Sequence, residues 1–227
     1  DGAPDLVRED AKEVIELAAR KLKERFFERD PAVILDVLVL RTDSSYDKYA
    51  GSFIGPPSTP YGYYSPCDQA IYVNASLGNG TLVHEMVHAF MEANFPACPT
   101  WFNEGMGSLY EQPDLASAEI RGLPNWRLPG LQRAILRGTT MPIGELLATS
   151  RGDFYDKKNA GMTYAMARYL CYYLQEKGLL QTYYRRFLAN QIADPMGVET
   201  LKEVLGERDL AAFQKRWEKE IAAIVAP

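Results

Sequence analysis

Histidine is the scarcest reactive residue in this chain: 227 residues contain two, His84 and His88. A site built on three imidazoles is therefore excluded. Cysteine is nearly as rare. Cys67, Cys98 and Cys171 are too few for a disulfide framework, and their spacing fits no cysteine metal site. Long apolar runs are missing as well; the longest, residues 32–40, is interrupted by Asp36 and is too short to span a membrane. There is no excess of positive charge either. With 25 Lys and Arg against 30 Asp and Glu, a net charge of -5 and no basic run, the chain lacks the footprint of a nucleic-acid binder. No internal repeat or low-complexity tract is visible.

What is present is a hydrophobic content of 47%, enough to bury a sizeable core in one domain of two lobes or in two small domains. The chain opens Asp1-Gly2-Ala3-Pro4 rather than with Met, which leads us to expect that a signal peptide or further domains precede it. Cys67 and Cys98 lie in proline-flanked segments on either side of the histidines, so a single disulfide between them is an open expectation. Cys171, in an apolar helical run, reads as a buried thiol. Together these favour a secreted or cell-envelope setting over a cytoplasmic one.

Both histidines fall in one stretch, residues 81–94, TLVHEMVHAFMEAN. Residues i and i+4 of an α-helix lie on one face about a turn apart, so His84 and His88 can point at one ion. Glu85 is placed to reach a water at the same spot, and the string His84-Glu85-x-x-His88 is the zinc-protease helix pattern. The plain alternative is an ordinary amphipathic helix, for which Leu82, Val83, Met86, Val87, Phe90 and Met91 speak. A buried His-Glu-His group without a cation or charged partner, however, carries a heavy desolvation cost. A catalytic zinc takes three protein ligands and keeps one position open. With no third histidine, the missing ligand is a carboxylate, a cysteine or nothing, and Glu104 at the head of the next helical stretch is the leading candidate.

His84-Glu85-Met86-Val87-His88, followed sixteen residues later by the Glu of Trp101-Phe102-Asn103-Glu104-Gly105, resembles the gluzincins, the thermolysin- and aminopeptidase-like zinc peptidases of the peptidase-MA superfamily. The resemblance implies a zincin-like fold, Zn2+ held by His84, His88 and Glu104, Glu85 as general base, and a peptide or protein substrate. The run from Asn125-Trp126-Arg127 to Ala160-Gly161-Met162-Thr163-Tyr164 and on to Leu170 is similar to the helical half of small bacterial domains of that superfamily. No Gly-x-Met-Glu-Asn stretch is present to anchor a free amino terminus, which favours an endopeptidase over an aminopeptidase. In related peptidases a downstream tyrosine donates to the developing oxyanion, and Tyr164 is the residue we assign to that part. Ser108 and Glu111, one and two turns beyond Glu104, are placed to hold the histidine ring N–H groups. Rival readings are a catalytically silent zincin-fold binding or structural module of a larger surface protein, and a closed structural zinc site, for which no fourth ligand is evident.

The remaining pattern predicts an α+β chain, residues 1–227 forming a single zincin-like domain. Its first lobe, residues 1–95, is small and mixed, with a short sheet and the active-site helix; residues 96–227 form an all-helical lobe. A helix is expected over residues 6–29, stopped by Asp30-Pro31, then a strand over 32–41 covered on both faces or nearly so. Residues 46–64 are expected to hold a short strand near 51–54 and then a loop. Residues 69–74 read as a strand that is either a sheet edge beside the site or fully paired. Helices follow at 101–111, 128–136, 160–175, 179–190, 197–205 and 210–225, with a short turn after Pro142.

Overall fold

A computed structural model describes residues 4–54, 59–77 and 80–225. It is a mixed α+β protein dominated by helix. The chain divides into two compact units, residues Asp1–Asn94 with Pro113–Arg121, and residues Phe95–Gln112 with Gly122–Pro227.

In the first unit, α1 (Pro4–Arg25) buries Ala11, Ala18 and Leu22 at helical spacing. It ends earlier than the expected stop at Asp30-Pro31. Phe26 and Phe27 are both buried, and Phe27 stacks on Phe90 with ring centroids 5.2 Å apart; one helical face cannot bury two adjacent side chains, so the chain leaves the helix there. The strand β1 (Asp36–Leu40) is half the expected length; Val37–Leu40 are half-buried, Asp36 is exposed, and Ile34, 92% exposed, falls before the strand, which is an outer one of its sheet. The helix α2 (Asp43–Ile54) replaces the short strand expected near residues 51–54. Thr42 and Ser45 exchange side-chain-to-backbone bonds, the Thr42 N–H to Ser45 Oγ and the Ser45 N–H to Thr42 Oγ1, both 3.1 Å, which opens the helix.

The strands β2 (Gly62–Ser65) and β3 (Ala70–Asn74) complete a three-stranded sheet of order β1-β3-β2, with β3 parallel to β1 and antiparallel to β2. β3 is thus fully paired, and β2 takes the edge position that residues 69–74 might have held. Register puts Leu38, Tyr63 and Tyr72 side by side, and Tyr46 of α2 packs there with Ala70 and Leu40. The helix α3 (Gly80–Asn94) packs on β2 and β3. Residues 55–58 of the expected loop and 78–79 of the glycine turn before α3 lie outside the described residues.

The second unit begins with α4 (Thr100–Leu109). Residues Pro113–Arg121 belong again to the first unit, and there the short strand β4 (Pro113–Asp114) pairs with β5 (Arg121–Gly122) as a ribbon. The segment after β4 is tied to α1 by Lys21, whose ammonium donates to the carbonyls of Leu115 and Ser117. Seven helices follow: α5 (Leu128–Arg137), α6 (Ile143–Ala148), α7 (Arg151–Phe154), α8 (Ala160–Glu176), α9 (Leu180–Asn190), α10 (Val198–Leu205) and α11 (Leu210–Ala222). Two of them, α6 and α7, stand where only a short turn was expected. The central pair is α4 against α8, and the close approach depends on Gly105: a Cβ there would meet the Ala167 carbonyl oxygen and Cys171 Sγ, each at 2.9 Å.

Candidate metal centre

His84 and His88 sit one turn apart on α3, as the spacing requires, with ring centroids 4.7 Å apart and planes 78° apart. His84 is buried and His88 half-buried, while Leu82, Val83, Met86 and Val87 anchor the rest of the helix in the core. Glu85 is buried next to them. Its Oε2 accepts a 2.8 Å hydrogen bond from the backbone N–H of Tyr64, so strand β2 fixes the carboxylate of α3. Gly62, two residues earlier, lets the strand lie this close, because a Cβ there would meet the Tyr72 carbonyl oxygen at 2.5 Å and Thr81 Cγ2 at 2.7 Å. The Tyr64 hydroxyl donates to Glu92, and burial together with that carboxylate pushes its pKa up.

Glu104 is buried in α4. Tyr155, directly after α7, donates its hydroxyl to Glu104 Oε1 at 2.5 Å. Tyr164, on the first turns of α8, also hydrogen-bonds Glu104; burial, the Glu104 charge and Tyr155 all push its pKa up. The rings of Tyr155 and Tyr164 lie 6.2 Å apart, and the guanidinium of Arg127 stands 5.0 Å from the Tyr164 ring. The end of α4 is held by the fully buried Arg168, which donates to the carbonyls of Ser108 and Leu123; burial pulls its pKa down.

The expectation for Ser108 turns out otherwise. The Ser108 hydroxyl is buried without a hydrogen-bond partner, so it holds no histidine ring. The Glu111 carboxylate accepts from Arg127 Nη2 at 2.8 Å, Arg127 Nε at 3.1 Å and Asn125 Nδ2 at 3.0 Å, which makes it an anchor for the chain entering α5. The cysteines are all free: Cys67 is exposed, Cys98 half-buried and Cys171 buried, so the Cys67–Cys98 disulfide does not form. Tyr155 was not anticipated. The signal that could have found it is Ser150-x-x-Asp153, a helix-opening pair realised as Ser150 Oγ accepting from the Asp153 N–H, which places Tyr155 at the end of a single helical turn.

His84 and His88 share one face of α3 in the first unit, and the buried Glu104 lies on α4 in the second. Two imidazoles and one carboxylate suit a borderline-soft divalent cation such as zinc, whose ligands sit at ~2.0–2.2 Å. No protein-family model, no curated protein and no solved structure matches this chain.

Proposed function

We propose that this chain is a zinc-dependent metallopeptidase of the gluzincin type, cleaving internal peptide bonds of a peptide or protein substrate. The observation that carries the reading is the pair His84 and His88, one turn apart on α3 with ring centroids 4.7 Å apart, beside the buried Glu85 whose carboxylate the Tyr64 N–H fixes; Glu104 is the third ligand that the gluzincin resemblance implies. Three ligands without a fourth are what a catalytic zinc uses, whereas a structural zinc is closed by four. When bound, zinc supplies an acidified water and Lewis-acid polarisation of the scissile carbonyl.

The chain's own residues do the rest. Glu85 takes the proton of the attacking water and passes it to the leaving amine, so one carboxylate serves as base and then as acid. The Tyr64 N–H holds one oxygen of that carboxylate at 2.8 Å and limits its rotation. Tyr164 is the hydroxyl we assign to the negative charge that develops on the carbonyl oxygen, a part it takes by turning away from Glu104, its hydrogen-bond partner in this structure. β2, an outer strand beside Glu85, is the element against which an extended substrate would lie.

The test is metal analysis and peptide-library cleavage by the parent and by Glu85→Gln. The expected result is about one zinc per chain in both proteins, with cleavage by the parent and a loss of at least ~100-fold in the variant. Zinc bound by a parent that cleaves no member of a broad library would replace the peptidase by a zincin-fold binding module.

A further inference from the structure

Two carboxylates follow one another along α4 and just beyond it, and the structure treats them differently. Glu111 is neutralised by a cation, Arg127, in a two-point ion pair supported by Asn125. Glu104 is gripped by phenols: Tyr155 donates to its Oε1 at 2.5 Å, and Tyr164 hydrogen-bonds it as well. A guanidinium would hold the Glu104 carboxylate equally firmly, but it would also cancel the charge that attracts a divalent ion. A neutral hydroxyl fixes the orientation of the carboxylate and adds no positive charge of its own.

We propose that Tyr155 is the positioning residue of the metal centre, its hydroxyl locking the Glu104 carboxylate in a ligating orientation and thereby setting the affinity for zinc. This rests on the metal reading given above. The groups that hold metal ligands from outside typically account for 10- to 100-fold in affinity. Tyr155 fits the part on three counts. Its hydroxyl donates to the buried Glu104, it sits at the end of a four-residue helix, and its ring is 38% exposed rather than part of the core, so the side chain has little packing to lose.

The experiment compares the full chain with Tyr155→Phe and Tyr164→Phe. Zinc affinity is measured by competition with a chromophoric chelator, the visible bands of the Co2+-loaded proteins are recorded, and the metal-free proteins are melted. Tyr155→Phe is expected to bind zinc about 10- to 100-fold more weakly and to shift the cobalt bands, with the melting temperature of the metal-free protein unchanged. Tyr164→Phe, which keeps the Tyr155 bond, is expected to lose less. A parent that binds zinc together with a Tyr155→Phe variant of the same affinity and the same cobalt spectrum would overturn the positioning role alone. So would a loss of affinity matched by a fall in metal-free melting temperature. A parent that takes up no zinc would overturn the metal reading and this inference with it.

Discussion

Gly105 stands next to Glu104 in a space that admits no side chain, since an added Cβ would press on the Ala167 backbone oxygen at 2.9 Å. The obstacle is backbone within α8, so the neighbouring helix itself must give way. Gly105→Ala is expected to destabilise the protein by about 1–3 kcal/mol in a denaturant titration and to weaken zinc binding in parallel, because α8 also carries Tyr164. An unchanged unfolding midpoint would mean that α4 and α8 have slack between them. The sequence showed the glycine but not this reason for it: the string Asn103-Glu104-Gly105 says nothing about which helix will lie across it.

At the scale of elements, α3 is closed by its own last residue. The Asn94 side chain donates to the carbonyls of Phe90 (2.9 Å) and Arg29 (2.8 Å) and accepts from the N–H groups of Glu28 (3.1 Å) and Arg29 (2.9 Å). One buried amide thus ties the end of the histidine helix to the segment after α1. Asn94→Ala strands several of these peptide groups and is expected to cost on the order of 3 kcal/mol, read as a lowered unfolding midpoint. The helices α3, α4, α8, α9 and α11 were legible because apolar residues at helical spacing mark a buried face whatever lies across it. The sheet was harder to read. The apolar run at residues 32–41 looks like a central strand, yet β1 is an outer one, since the order of strands depends on pairings between distant segments. The helix α2 was missed because Gly51 and the following prolines suggest a loop, whereas the Thr42–Ser45 cap and the burial of Tyr46 under the sheet set the local outcome.

At the scale of the whole molecule, buried phenols make the fold sensitive to alkali. Burial pushes Tyr63 up to about 12 and drives Tyr46 and Tyr64 higher, against 10.0 for a free phenol. Between those values the unfolded chain gives up protons that the folded chain retains, so rising pH favours unfolding. Stability should be steady below pH 10 and fall as pH climbs through 12, with phenolate absorbance and loss of helical circular dichroism appearing together. Phenolate absorbance that rises fully near pH 10 with the circular dichroism unchanged would contradict this. The sequence alone determined the helix that carries His84, Glu85 and His88, and it named Glu104, because a periodic apolar face and a fixed spacing of donors are local properties. Only the tertiary structure decided that Tyr155 grips Glu104, that Glu111 is spent on Arg127, and that β2 rather than β3 borders Glu85. These contacts join residues tens of positions apart, and a chain's order carries no direct record of which distant segments its core will press together.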